Sequence, residues 1–188
     1  MTKVSEVQIQ DGRKIVHGVG MIVTLVSFGM LFATLMMGFA IYRLTAPVWP
    51  PQGMSRPSLI LPILSTMLIA VSSYAYMWFE KDIIKNRFGL ILTLLLGVGF
   101  MTTQSFFWFQ LHGQGIYTST GIFASIIYAF TWIHAAHIVA ALGLLVWLLT
   151  TMNATSPDLL SLRVMNVGKF WHFLGVIWLI MFVSIFVW

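Results

Sequence analysis

Between Phe130 and Gly143 the chain reads FTWIHAAHIVAALG, which sets two imidazoles, His134 and His137, three positions apart in an otherwise apolar run. Imidazoles so placed ligate a metal or haem iron, relay protons, or fasten one helix to a neighbour or to a lipid headgroup. A spacing of three puts both rings on one helix face, one turn apart, so they cannot clamp opposite sides of a single haem. At about 1.5 Å per residue, His137 lies some 18 Å from the inner end of its helix, whereas His172 lies only about 6 Å from the inner end of the last one. His17 is also near that surface and His112 falls in a loop, so none of these lies at the depth of His137. Zinc or copper asks for three or four convergent ligands; HxxH offers two, with no carboxylate nearby and no cysteine in the chain. The residues therefore favour structural pinning over ligation, with no metal site. The expected partners are a Thr, Ser, Trp or backbone carbonyl, Thr131 and Trp132 being close at hand.

Other side chains point the same way. The five acids, Glu6, Asp11, Glu80, Asp82 and Asp158, lie outside the apolar runs or, like Glu80, at the end of one, which argues against an ion-coupled pump or transporter. Ser72, Ser73, Thr102, Thr103 and Gln104 lie inside such runs without a general base, and are expected as interhelical hydrogen bonds rather than nucleophiles. Gly29 with Ala33, Gly97 with Gly99, and Ala136 with Ala140 offer places for close helix approach. The run QSFFWFQ at 104–110 reads as an interfacial aromatic belt.

The elements that carry these residues follow from composition. Of 188 residues 59% are hydrophobic and 8% charged, far from the roughly 25% charge of soluble domains. Charge-free intervals run from Lys14 to Arg43, Arg56 to Glu80, Arg87 to Asp158, and Lys169 to the end, each long enough to cross a bilayer. The glycines and amides of QLHGQG at 110–115 split the longest in two. Runs this long and apolar must be helical, because lipid leaves no partner for open backbone groups. The expectation is an all-α, polytopic membrane helix bundle in a single domain over 1–188, with five transmembrane helices at about 15–43, 59–80, 88–110, 119–150 and 168–188.

Loop charge orients it. With the N-terminus cytoplasmic, Lys3, Arg13, Lys14, Lys81, Lys85, Arg87, Arg163 and Lys169 are inside and only Arg43 and Arg56 outside, which leaves the C-terminus outside. The net charge of +5 then reflects topology and anionic headgroups, with Lys81, Lys85, Arg87, Arg163 and Lys169 as headgroup candidates. No nucleic-acid partner is indicated. The proline-rich loop APVWPPQGMSRPS at 46–58 sets Trp49 at the outer interface.

Taken in order, several motifs resemble the cytochrome c oxidase subunit III family of the haem-copper oxidases. The ending KFWHFLGVIWLIMFVSIFVW is similar to that family's closing helix through Phe170, Trp171, His172, Phe173, Trp178 and Leu179. The segment IHAAHIVAALG resembles its His-Gly-x-His-Val segment through His134 and His137, with Ala135 in place of the glycine. LLLGVGFMTTQ is similar through Gly97, Phe100 and Gln104, and LPILSTMLIAVSSYAY through Pro62, Thr66, Ser72 and Ser73. Where the family often has intramembrane acids, this chain has Phe28 after Ser27 and Gly175 after Leu174.

The resemblance implies the five-helix form of an accessory, non-catalytic subunit of a respiratory terminal oxidase that reduces oxygen to water. It implies haem and copper in partner subunits and none in this chain. It further implies packing on catalytic subunit I, bound phospholipid, and a place in a bacterial plasma membrane or an equivalent energy-transducing membrane, and it leaves open a larger respiratory supercomplex. His134, His137, Trp171 and His172 are then lipid-organising or structural polar pins, and the two missing acids weaken any part in proton uptake. The alternatives are a haem- or quinone-binding membrane anchor with His137 or His172 as ligand, and a subunit III relative attached to nitric oxide reductase.

Overall fold

The computed structural model describes residues 3–47 and 59–187. The loop with Trp49 and Arg56, and the side chains of Lys3, Glu6, Asp11, Arg13, Lys14 and His17, lie outside the described residues. Five long helices follow one another: α1, Lys3–Thr45; α2, Ile60–Lys81; α3, Arg87–Gly113; α4, Ile122–Thr151; and α5, Pro157–Phe182, which runs on as a π-type turn over Val183–Val187. Short 3₁₀ turns at Thr118–Thr120 and Met152–Ala154 flank α4. All five helices are long and apolar enough to span a membrane, the first over Gly18–Thr45, and no strand is present among the described residues. The five-helix, all-α expectation is met, and the chain is a multi-pass integral membrane protein.

Two helices begin earlier than their apolar runs. α1 starts at Lys3 rather than near 15, and α5 at Pro157 rather than 168. Hydropathy marks where a helix enters hydrocarbon, but a polar stretch remains helical beyond it. At α5, Ser156 in extended conformation followed by Pro157 at the first helical position supplies the start, since a proline there loses no helical hydrogen bond.

The connections are tight. Asn86 Nδ2 donates to the Trp78 carbonyl (3.0 Å) and the Lys85 amide to Asp82 Oδ1 (3.1 Å), closing α2 onto α3. After α3, Gly115 at φ +72° turns the chain, a conformation that glycine adopts without strain. Such short links force α2 to α5 to run alternately up and down. α5 packs against α1, α2 and α4, while α3 packs against α2 and α4. The core is aromatic: Phe32, Tyr76, Phe79, Phe100, Phe107, Trp171 and Trp178 are all at most 2% exposed. Large apolar side chains such as Met30, Met67, Leu95, Phe109 and Val139 face outward, a surface that only lipid or another apolar partner can cover.

Candidate functional site

α4 carries His134 into the centre of the bundle. The imidazole is 1% exposed and ringed by Phe32 of α1 (centroids 6.1 Å apart), Phe100 of α3 (5.9 Å) and Trp178 of α5 (5.5 Å). Both ring nitrogens are buried without a hydrogen-bond partner, so the pairing expected for it with Thr131 or Trp132 is not found. Thr131 is already used: its hydroxyl accepts from Trp108 Nε1 (3.0 Å) and donates to the Ile127 carbonyl (2.8 Å), and Trp132 lies outward against Trp108. His137, one turn on, keeps its Nδ1 within its own helix, 2.6 Å from the Ile133 carbonyl, and sets its ring edge-on to Phe28 at 4.4 Å. What joins α4 to α1 here is ring packing, which favours such edge-to-face geometry.

α5 supplies the residues of the family-like ending. Trp171 is fully buried, and its tip fits where Gly97 has no side chain: a Cβ there would stand 2.7 Å from Trp171 Cη2 and 2.7 Å from Leu142 Cδ2. Gly97 thus makes room for the indole, whose Nε1 finds no partner. His172, half-buried, lies edge-on to Tyr76 at 5.9 Å with its Nε2 also buried and unbonded. Trp178 has the bond that Trp171 lacks: its Nε1 donates to Thr66 Oγ1 (3.0 Å) across to α2, and its ring meets Phe100 at 90° and 5.0 Å. Phe28 occupies the first position of a missing acid and packs on Phe170 at 5.9 Å; Gly175 occupies the second, with Ser73 Oγ 3.4 Å from where its Cβ would lie.

The polar contacts between helices concentrate on α2 and α3. Ser65 Oγ and Thr103 Oγ1 share a hydrogen bond (2.8 Å), Gln104 Nε2 donates to Ser65 Oγ (3.0 Å), and Ser72 Oγ donates to the Thr93 carbonyl (3.2 Å). Ser72, Thr103 and Gln104 therefore act as expected, whereas Thr102 is exposed and bonds only the Val98 carbonyl of its own helix. Gly97 lies at a close contact, but Ala33, Ala136 and Ala140 face outward. Residue spacing did not reveal Gly89, where a Cβ would come 2.9 Å from the Ala75 carbonyl, or Gly168, whose bare backbone accommodates the Tyr76 ring and the Glu80 carboxylate. Gly168 and Gly175, seven apart on one face of α5, were the available signal. Tyr76 was also missed: its hydroxyl donates to the Val164 carbonyl (2.8 Å), as a buried phenol in an apolar span must find an acceptor.

The cationic candidates gather where α2 and α4 end and α3 and α5 begin. Lys81 and Lys169 are exposed, and Lys85 pairs with Asp82 at 3.7 Å. Arg87 donates to Asn153 Oδ1 (2.7 Å) and Arg163 to Thr155 Oγ1 (2.9 Å), the latter with its guanidinium carbon 4.6 Å over the Trp147 ring. Among the described residues no three His, Cys, Asp or Glu side chains converge as ligands of one metal ion.

Fold and site together define a polytopic helical membrane protein whose inward rings and hydroxyls join helix to helix. The family model for cytochrome c oxidase subunit III matches residues 4–188, and the chain belongs to that family. A relative from Synechocystis, cytochrome c oxidase subunit 3, is 28% identical over 179 residues, covering 89% of this chain and 73% of its own length. A probable cytochrome c oxidase subunit 3 from Nocardia farcinica is 27% identical, covering 89% and 86%. A cytochrome c oxidase subunit 3 from Yarrowia lipolytica is 32% identical over 151 residues, covering 75% of this chain but only 54% of the relative.

Proposed function

We propose that the chain is an accessory subunit III of a respiratory haem-copper terminal oxidase, packed on a catalytic subunit that holds the haem and copper and reduces oxygen to water. The family match over residues 4–188 carries this reading. The N-terminus lies on the inner side of a bacterial plasma membrane or an equivalent energy-transducing membrane, as the charge distribution favours. The chain's own part is structural. His134, His137, Trp171 and His172 act as pins that set α4 and α5 against α1, α2 and α3 through ring packing, and Lys81, Lys85, Arg87, Arg163 and Lys169 hold phospholipid headgroups.

The burial of His134 supports a packing role. An iron on either of its nitrogens would have to displace Phe32, Phe100 or Trp178, which already enclose the ring. Replacing Trp171 by leucine opens space beside Gly97, and replacing His172 by leucine removes the ring that faces Tyr76. The expected outcome for both variants is an oxidase that assembles less well or loses turnover sooner while its reduced-minus-oxidised haem spectrum stays in place. Loss of a haem signal from an otherwise assembled complex would overturn the proposal.

A further inference from the structure

We infer that the seam between α1 and α4 docks a transmembrane helix of the partner subunit, one that brings a hydrogen-bond donor to His137 Nε2 at mid-membrane. This rests on the subunit reading above and names the face through which the chain engages its complex. The ring of His137 packs on Phe28, but only one of its nitrogens is used within the chain. Nδ1 lies 2.6 Å from the Ile133 carbonyl, and a carbonyl only accepts, so the proton sits on Nδ1 and Nε2 presents a lone pair. No described residue bonds Nε2, and it is not enclosed as both nitrogens of His134 are.

Helical spacing places Ile133, His137, Ala140 and Leu144 on one stripe of α4, and Thr24, Phe28, Leu31 and Leu35 on one stripe of α1. The contact of Phe28 with His137 sets the two stripes side by side. Ala136 and Ala140 are exposed and too small to cover the imidazole edge, while Leu31 and Leu144 stand partly exposed beside it. Thr24 spends its hydroxyl hydrogen on the Gly20 carbonyl (2.9 Å), so it too offers only an acceptor. The seam therefore presents hydrogen-bond acceptors in an apolar surface and no donor to match them.

That chemistry selects the occupant. His137 stands near the middle of α4, far from headgroups and water, and acyl chains carry no N–H or O–H. An acceptor left bare in hydrocarbon is costly, and at this depth a protein helix supplies the donor through Trp, Tyr, Ser, Thr or an amide. The two alanines let such a helix come close. A second copy of this chain fits poorly, because a two-fold contact would set the same acceptors against one another.

The test places the photo-crosslinking residue p-benzoylphenylalanine at Leu31, at Leu144 and, as a control on the outward face of α3, at Leu95, in the full chain within its native membrane complex. Leu31 and Leu144 should link to the haem-bearing subunit and Leu95 should not, and the linked peptide should carry a donor side chain within one turn of the attachment point. His137→Phe keeps a ring against Phe28 but removes the acceptor, and should lower retention of the chain through a detergent wash about fivefold. Ala140→Leu closes the approach to Nε2 and should lower it about tenfold. Should His137→Phe not fold, Ala140→Leu decides, since Ala140 faces outward and its change leaves the bundle's own packing alone. Unchanged retention of Ala140→Leu overturns the inference, as does linkage of Leu31 and Leu144 to phospholipid alone or to a second copy of the chain. A haem-bearing subunit linked only from Leu95 leaves the subunit reading standing and overturns this face. A haem-free membrane protein linked at Leu31 and Leu144 overturns both.

Discussion

Between α2 and α3 the backbones nearly touch. Gly89 brings α3 against the Ala75 carbonyl, and Ser65, Thr103, Gln104, Ser72 and Thr93 bond across the seam. α1 is held differently. Phe28, Phe32 and Phe39 lay rings on His137, His134, Phe130 and Phe170, while the hydroxyls of Thr24, Ser27 and Thr34 bond carbonyls of their own helix. Only 6% of the residues in the most apolar stretch of α1 are buried, against 33–39% in the other four helices. Lipid is as apolar as leucine, so helices associate in a bilayer by packing and hydrogen bonding rather than by the hydrophobic effect. Directional bonds and bare glycine backbone fix one register between α2 and α3. Ring contacts attach α1 with fewer constraints on its rotation and depth.

The largest effect should come from the ring side. Phe32 is 1% exposed and meets both His134 and His137, so Phe32→Ala leaves a cavity where α1 joins α4. The expected cost is about 3–5 kcal/mol. It should appear in detergent-titration unfolding, together with faster disulfide trapping of α1 away from α4 when cysteines are placed on both helices. Next comes the glycine contact. Gly89→Val drives a Cβ against the Ala75 carbonyl, which is backbone and cannot rotate aside, for a loss of about 1–3 kcal/mol confined to the α2–α3 pair. If Gly89→Val frees α1 instead, the two interfaces are not independent and the contrast between them fails.

Smaller changes sharpen it. Trp178→Phe keeps an aromatic ring against Phe100 but removes the donor to Thr66, and should cost about 1 kcal/mol in the same unfolding assay. Ser72→Ala should cost least, about 0.6 kcal/mol, the average for an interhelical hydrogen bond in a membrane, because the Thr93 carbonyl also belongs to helical backbone. His134→Leu sets two terms against each other. It removes ring packing against Phe32, Phe100 and Trp178 and also a buried imidazole without a hydrogen-bond partner, so the net cost should stay below about 1 kcal/mol; a loss above about 2 kcal/mol would show that an unseen partner satisfies this ring.

The helices were legible because charge-free runs of bilayer length have one solution, and the turn between α3 and α4 followed from the glycines and amides of QLHGQG. The starts of α1 and α5 were not, since neither the polar lead-in nor the stretch from Pro157 to Lys169 carries a hydropathy signal. Ser72, Thr103, Gln104 and Gly97 were readable as small or hydroxyl-bearing residues within apolar runs. Ala136 and Ala140 share the same local signature yet face outward, because a small residue states that close approach is allowed, not that a helix lies opposite. The same limit explains His134. Its neighbours in sequence offered Thr131 and Trp132, but its neighbours in space are rings from three other helices. Nothing local in sequence indicates that Phe32, Phe100 and Trp178 meet there.

The central claim is that this chain serves an oxidase without carrying its redox centres. The direct test is to tag the chain, purify it gently with its native lipids, identify what accompanies it, and record reduced-minus-oxidised spectra of the assembly and of the separated chain. The account predicts a co-purifying large subunit that holds haem and copper, and a separated chain without a haem spectrum. Haem that stays with the isolated chain would contradict it and would make His134, His137 and His172 ligand candidates again.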